Sequence, residues 1–230
     1  AKFLFGPGTP LIWSEEAKDY TEESPLCFDR LMVSGTIIHL TLGVRDAEAL
    51  RDRMGRDLGL PRPLGRSRPP RHIVVERRRS RSWTNHDEIM HVVHETGVPY
   101  EETSLEALTF EEQVQVLGGA GVFVSAHGAG MTNVLWMPTG GAVVEAFPSK
   151  VWQYNLYGEI ARNAGLFHRS VHGNVSGEAY GEAGRTPVDC LGHMSCNVGL
   201  KQDFYIRPDD FRTALHSALN LAGIMIEARR

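Results

Sequence analysis

Hydrophobic residues in the second half of the chain form short apolar runs that alternate with longer amphipathic stretches. The short runs predict buried strands, which we place at His72–Glu76, Val98–Glu101, Val122–Ser125, Ala142–Ala146 and Phe167–Ser170. Helical spacing predicts helices at Asn85–Thr96, Thr109–Gly118, Met131–Met137, Trp152–Ala164 and Asp209–Ile226. Strict alternation of strands and helices implies crossover connections, and therefore an α/β domain with a Rossmann-like parallel sheet.

The residues before position 71 do not continue this alternation. They predict an edge strand at Cys27–Gly35, a helix over residues 46–58 and a loop rich in proline and arginine at 61–70. The chain begins without methionine inside sequence that resembles structured protein, so we expect a fragment whose natural start lies upstream. We therefore expect residues 1–70 to be the tail of an N-terminal domain and a connection, and residues 71–230 to form a Rossmann-like nucleotide-sugar-binding domain with a closing C-terminal helix.

Composition excludes several classes of protein. The 230 residues are 42% hydrophobic, which is enough for a core, and no run of about 18 apolar residues predicts a membrane span. The net charge of −4 argues against a general nucleic-acid binder, although residues 62–81 are locally basic. We therefore expect neither a nucleic-acid partner nor membrane contact from this segment.

The three cysteines, Cys27, Cys190 and Cys196, do not make a disulfide framework. The last two could pair in an oxidising compartment, and free thiols are an equal alternative. Asn174-Val175-Ser176 fits the acceptor pattern for N-glycosylation, which favours a secretory setting. The glycine-rich segment 173–199 is long for a loop in a compact domain, and such loops are usually functional or mobile.

The most informative stretch is a buried strand that leads into a turn of small residues and then a helix. The turn and the start of its helix consist of His127, Gly128, Ala129, Gly130, Met131, Thr132 and Asn133. Glycines let backbone N–H groups approach an anion, and a helix N-terminus favours negative charge. This pattern predicts a phosphate-binding turn, with a plain strand-to-helix turn as the alternative. His127 could donate to a phosphate oxygen or a leaving group, or simply hydrogen-bond the turn.

Charged residues follow or end two other predicted strands. Arg77 and Arg81 come after the first strand, where guanidinium groups could grip a diphosphate at the carboxyl edge of the sheet. A solvated basic turn is the alternative for each arginine. Glu145 lies at the end of a buried strand, where a carboxylate can hold ribose hydroxyls. Asn85 and Glu88 fit a capping box better than a catalytic pair.

Other common sites are disfavoured by missing patterns. No Asp-x-Asp sequence is present, and His91 and His94 have no third ligand at a metal-binding spacing, so we expect no metal. Ser125 does not lie in the Gly-x-Ser-x-Gly elbow of hydrolases. No Gly-x-Gly-x-x-Gly follows the first strand, which disfavours a Rossmann-type dehydrogenase or methyltransferase.

An ordered set of motifs resembles glycosyltransferase family 61 over roughly residues 27–225. The set contains Cys27-Phe28, Val33-Ser34-Gly35, Arg77 and Arg81, Asn85 and Glu88, Glu111-Glu112-Gln113, His127 to Asn133, Met137-Pro138, and Val144-Glu145 with Pro148. The family includes plant xylan xylosyl- and arabinosyltransferases, the EGF-domain O-GlcNAc transferase and an O-mannose N-acetylglucosaminyltransferase. Trp136 and Glu76 depart from the family's usual residues, and most of an acceptor-binding domain is missing.

The resemblance implies the C-terminal half of a GT-B glycosyltransferase that is inverting and independent of metal or other cofactors. It implies transfer of GlcNAc or a pentose from a UDP-sugar to a hydroxyl of a glycan or glycoprotein, in the Golgi or endoplasmic reticulum lumen. By resemblance, Arg77, Arg81 and the turn His127 to Asn133 hold the diphosphate, and Glu145 holds the ribose. The alternative is a catalytically idle nucleotide-binding module that lacks the acceptor domain.

Overall fold

A computed structural model of the chain describes residues 43–60, 69–76, 81–148, 156–174 and 203–226. The chain divides into two units, Ala1–Leu40 and Thr41–Arg230, and every described residue belongs to the second. The expected strand Cys27–Gly35, most of the loop 61–70 and most of the segment 173–199 therefore lie outside the described residues. Cys27, Cys190 and Cys196 lie outside them as well.

Five parallel strands form one sheet in the spatial order β2-β1-β3-β4-β5. In chain order they are β1 (Ile73–Glu76), β2 (Tyr100–Thr103), β3 (Val122–Ala126), β4 (Ala142–Phe147) and β5 (Phe167–His172). The three central strands are buried along their whole length. Their continuous apolar runs are what a sheet covered on both faces requires. The expected Rossmann-like α/β fold is confirmed.

Helices cover both faces of the sheet. In chain order they are α1 (Val44–Asp57), α2 (His86–Glu95), α3 (Phe110–Gly118), α4 (Leu156–Asn163) and α5 (Pro208–Leu221), together with 3₁₀ helices at Leu105–Ala107 and Ala129–Trp136. We call Ala129–Trp136 the turn helix. One apolar cluster contains residues of α2 and α5, and the other contains residues of α1, α3, α4 and the turn helix. Along β1, Val75 belongs to the first cluster and Val74 to the second, as alternation of side chains requires.

Several element boundaries differ from the sequence-based expectations. Strand β2 begins at Tyr100, two residues after the expected start. The expected start is too early because Val98, an apolar residue that suggests a buried strand, is buried just before the strand begins. This edge strand is itself largely exposed, so burial does not mark it. Helix α5 ends at Leu221 and not at Ile226. Gly223 has a φ of 67°, a left-handed conformation that ends the helix.

Asn85 is the N-cap residue of α2, as expected, and its amide donates to the Glu88 carboxylate at 3.1 Å, but the expected capping box does not form. Its side chain donates to the carbonyl oxygen of Ile206 at 2.8 Å and accepts the N–H of Ile206 at 3.1 Å, and it makes no capping bond to α2. Asn85 therefore fastens the segment before α5 to the start of α2. A reciprocal capping box is instead present at α3, where Thr109 and Glu112 bond each other's backbone N–H groups.

Helix α1, expected in the connection at 46–58, packs on the second cluster through Ala47 and Met54. Its Arg51 is fully buried and hydrogen-bonds to the turn helix and to the end of α4. The division between residues 70 and 71 stays a prediction. In the described part of the chain no helix combines the length and the apolar character that crossing a membrane needs.

Candidate functional site

The strand order places a topological switch point between β1 and β3. From β1 the chain crosses to β2 on one side and then returns to β3 on the other side. Crevices at such points, outside the carboxyl ends of the strands, are where open α/β sheets bind ligands. Here β1 ends at Glu76 and β3 ends at Ala126, directly before the turn that begins with His127.

The turn is held by backbone bonds at both of its ends. The N–H of His127 donates to the carbonyl of Ala146 at 2.8 Å, and the N–H of Met131 donates to the carbonyl of Gly128 at 2.9 Å. Among the residues that the structure describes, no acceptor receives the N–H groups of Gly128, Ala129 and Gly130. Three successive donors at the carboxyl edge of a sheet match the chemistry of an oxyanion ligand.

The residues after Gly130 stabilise the turn through burial and side-chain hydrogen bonds. Met131 is fully buried in the apolar cluster under the turn helix. Thr132 donates its hydroxyl to the carbonyl of Ala129 at 2.8 Å. Asn133 donates to Gln113 on α3 at 3.0 Å and to the carbonyl of Gly130 at 3.1 Å. The helix is a 3₁₀ helix that starts two residues before the expected Met131, and these bonds fix its first turn.

A buried carboxylate lies beside Gly130. Glu76 is 3% exposed, and the hydroxyl of Ser125 donates to its carboxylate. A β-carbon on Gly130 would lie 2.7 Å from Oε1 of Glu76. The glycine is therefore required by the close approach of this side chain.

Arg81 contacts the same turn. Its Nη1 donates to the carbonyl oxygen of His127. The residue has a φ of 60°, which is uncommon for a residue other than glycine and marks local backbone strain. The structure therefore places the Arg81 side chain against the turn, and its role in holding a diphosphate stays a prediction. Arg77 lies outside the described residues.

Glu145 connects two histidines at the edge of the sheet. Its Oε1 lies 2.5 Å from Nδ1 of His127, and its Oε2 lies 2.7 Å from Nε2 of His168. The carboxylate is 1% exposed. Burial raises its pKa, but the hydrogen bonds from His127 and His168 outweigh burial, so the pKa of Glu145 lies below its usual value. In this structure both oxygens are engaged by histidines, and a role in holding ribose stays a prediction.

The ring of His127 is also packed among aromatic side chains. It stacks on Phe147 with ring centroids 4.9 Å apart, and it meets Tyr157 edge-on at 5.2 Å. Phe147 in turn stacks on His172 at 5.2 Å. The side chain of His127 is 12% exposed, so part of the ring reaches the surface.

This arrangement offers two kinds of chemistry. An imidazole that donates through Nδ1 to a carboxylate keeps Nε2 for a ligand, as in the histidine of acid–base catalysts. The turn and Arg81 together supply N–H donors for an anion. Within the described ranges, no group of three or more histidine, cysteine, aspartate or glutamate side chains is arranged to hold a metal ion.

Sequence reasoning missed two of these residues as parts of the site. His168 lies near the start of β5, and its partner Glu145 is 23 positions earlier, so only the sheet register connects them. Glu76 departs from the family pattern, and the sequence alone does not predict its hydrogen bond with Ser125. Its place at the end of a buried apolar strand was the available signal, because a charge there needs a partner.

Comparison with known proteins identifies the family to which the chain belongs. The family model described as Glycosyltransferase 61 matches residues 13–144, which is more than half of the chain. The chain belongs to glycosyltransferase family 61. The match includes β1, β3, the turn His127 to Asn133 and the start of β4. The family predicted from the motifs is therefore confirmed.

Individual relatives of this family 61 chain carry transferase names. Protein O-linked-mannose beta-1,4-N-acetylglucosaminyltransferase 2 of Tetraodon nigroviridis is 36% identical over 97 residues, which is 41% of this chain and 17% of the relative. The protein of the same name from Takifugu rubripes is 36% identical over 97 residues, 41% of this chain and 16% of the relative. Beta-1,2-xylosyltransferase XYXT1 of Oryza sativa subsp. japonica is 24% identical over 170 residues, 68% of this chain and 36% of the relative. The chain thus spans a small part of the length of these curated relatives.

Proposed function

We propose that this chain binds the donor of an inverting, metal-independent glycosyltransferase that moves a sugar from a UDP-sugar to a hydroxyl of a glycan or glycoprotein. Family membership supports glycosyl transfer in general. The observation that carries the finer proposal is the turn at the switch point, where three successive N–H groups and the Arg81 guanidinium lie at one carboxyl edge. Donors of this kind suit a diphosphate without a metal ion.

The proposed donor sugar follows from the names of the relatives. The two fish relatives are named N-acetylglucosaminyltransferases, and the rice relative is named a xylosyltransferase. GlcNAc and a pentose are therefore the two candidates for this chain. No cofactor is proposed beyond the nucleotide-sugar donor.

The proposed reaction is a single displacement. The acceptor hydroxyl loses its proton to a base and attacks the anomeric carbon from the face opposite UDP, and the bond from that carbon to the diphosphate oxygen breaks. Charge that builds on the departing diphosphate is met by the turn N–H groups, by Arg77 and Arg81, and by Nε2 of His127. Removing one preorganised donor of this kind typically costs about 3–4 kcal/mol in the transition state.

We further propose that the acceptor site and the base lie in a preceding domain of a GT-B enzyme. In-line attack needs the two reacting atoms about 3–3.5 Å apart, which one wall of a cleft does not enforce. The test compares this chain with the natural full-length protein, using UDP-GlcNAc, UDP-xylose and a UDP-arabinofuranose donor. We expect turnover by the full-length protein and slow or absent turnover by the chain. UDP binding without turnover in both would favour the catalytically idle module.

The proposed location is the lumen of the Golgi or endoplasmic reticulum. Asn174 lies two residues after the end of β5 and is exposed, and its backbone pairs with Tyr205 in both directions. Expression in eukaryotic cells should then give a glycosylated protein that loses mass on treatment with peptide N-glycosidase. Asn174→Gln removes the shift if this residue is the acceptor. A natural full-length protein without N-glycan at Asn174 would count against the lumenal location.

A further inference from the structure

Two histidines on different strands share the two oxygens of one buried carboxylate. Glu145 accepts from Nδ1 of His127 at 2.5 Å and from Nε2 of His168 at 2.7 Å. His168 pairs in register with Val143, which lies on the same face of β4 as Glu145. The pairing of β4 with β5 therefore puts His168 within reach of the carboxylate.

The carboxylate needs both partners because it has little access to water. Glu145 is 1% exposed, and an isolated charge at such a position is strongly unfavourable. The two hydrogen bonds use one lone pair on each oxygen and fix the plane of the carboxylate. If one histidine were lost, the carboxylate could rotate toward the other, or draw in water.

The ring of His127 depends on this carboxylate for its only polar contact among the residues that the structure describes. Its backbone is held separately, since its N–H donates to Ala146 and its carbonyl accepts from Arg81. Phe147 and Tyr157 contact the ring but do not distinguish its two nitrogens. The tautomer of a histidine is set by the hydrogen bond that one of its nitrogens makes. Here that bond is the one from Nδ1 to Glu145.

We propose that His168 is a positioning residue for the transfer reaction: through Glu145 it holds His127 with the proton on Nδ1, so that Nε2 is presented to the diphosphate. The inference rests on the proposed function for the identity of the ligand. The positioning itself is a property of the free protein. Phosphate oxygens are acceptors, so the protonated ring is the form that binds them: Nε2 then donates to the diphosphate while Nδ1 donates to Glu145. In the free neutral ring Nδ1 keeps the proton and its bond to Glu145.

Two substitutions of His168 should have different effects on Glu145. In His168→Gln the side-chain amide can still donate to Oε2 of Glu145, so the orientation of the carboxylate is kept. In His168→Leu the donor is lost at similar volume, and Oε2 is left without a partner. If His168 contributed only by packing, leucine would disturb the site less than glutamine. If it contributes by its hydrogen bond, glutamine disturbs the site less, so the two variants distinguish these roles.

The test is nitrogen NMR of the free protein with labelled histidine, in which His127→Gln assigns the ring. We expect the neutral His127 ring to carry its proton on Nδ1 in the wild type and in His168→Gln. His168→Leu removes one of the two donors that keep Glu145 ionised, so the proton shared with His127 should shift toward Glu145 and the neutral ring toward the Nε2-protonated form. UDP should then bind about tenfold more weakly, equivalent to about 1.4 kcal/mol, because the charged ring is no longer favoured. His91→Leu, which removes an imidazole that is 69% exposed on α2, should change neither readout.

Two results would overturn the inference. One is a wild-type His127 protonated on Nε2, which needs no variant to observe. The other is an unchanged His127 signal in folded His168→Leu. Both are read without nucleotide, so they are independent of whether UDP binds. A wild type that shows the Nδ1 form but does not bind UDP would instead count against the proposed function.

Discussion

The backbone of Gly130 passes so close to Glu76 that a β-carbon at position 130 would lie 2.7 Å from the carboxylate oxygen Oε1. This contact sits between the end of β1 and the turn helix, at the proposed diphosphate site. The closeness, and not an unusual φ, makes glycine necessary there. The carboxylate is buried and bonded to Ser125, so it has little room to move away.

Gly130→Ala should therefore destabilise the protein and weaken its binding of UDP. Overpacking of a well-packed site typically costs about 1–3 kcal/mol, and the turn N–H groups would be displaced together with the backbone. Chemical denaturation and calorimetry with UDP measure the two effects. Gly119→Ala is the matched control, since a β-carbon there meets only two carbonyl oxygens, at 3.4 and 3.6 Å. Equal behaviour of the two variants would contradict the argument from close approach.

Arg51 should be important for stability although it lies away from the proposed ligand. The buried guanidinium bonds the carbonyl of Leu135 at 2.7 Å, the hydroxyl of Thr139 at 2.8 Å and the carbonyl of Ala164 at 2.5 Å. Burial lowers its pKa to about 10, against the opposing effect of Glu48 and Asp52.

Arg51→Met removes these bonds: the carbonyls of Leu135 and Ala164 lose this donor, whereas the hydroxyl of Thr139 keeps its bond to Glu48 at 3.1 Å. Each unsatisfied buried group costs about 1–3 kcal/mol, so we expect a loss of at least about 2 kcal/mol in the free energy of unfolding. Arg53→Met on the same helix breaks an exposed ion pair with Asp57 and should cost less than about 1 kcal/mol. Urea denaturation of the two variants gives the comparison, and similar losses would show that the buried bonds of Arg51 contribute little.

Much of the fold could be predicted from the sequence because the central strands are continuous apolar runs. β3 and β4 were placed to within one residue for this reason. The exposed edge strand β2 was misplaced, since its residues Tyr100–Thr103 carry no such run. At the site, the turn was predictable from its glycines. The contacts of Glu145 with His168 and of Glu76 with Ser125 depend on strand register, which short-range patterns do not contain.

The contribution of Glu145 to stability should depend on pH. Its pKa is lower in the folded protein than the ordinary value of 4.5, so it stabilises the fold above that value and loses this contribution as pH falls through the folded pKa. The difference in free energy of unfolding between wild type and Glu145→Gln should be larger above pH 4.5 than below the folded pKa of Glu145. An equal difference above and below this pH range would mean that folding does not lower the pKa of Glu145.

Arg81→Ala should weaken the binding of UDP more than the binding of uridine, because a guanidinium donates hydrogen bonds to phosphate. A hydrogen bond to a charged group is worth about 1.5–3 kcal/mol. Arg81→Gly is a useful companion, since glycine relieves the left-handed φ of 60°. We expect the glycine variant to be the more stable of the two and equally weak toward UDP. If the binding of UDP and of uridine weakened equally, Arg81 would support only the backbone of the turn and would not contact the phosphate.

We propose that the carboxyl edge of the sheet binds UDP through backbone and arginine donors without a metal ion. Isothermal titration calorimetry of UDP against the chain, in the presence and absence of EDTA, tests it most directly. We expect binding with the same affinity in both conditions, and weaker binding in Gly130→Ala. Binding that disappears with EDTA, or that survives unchanged in folded Gly130→Ala, would contradict it.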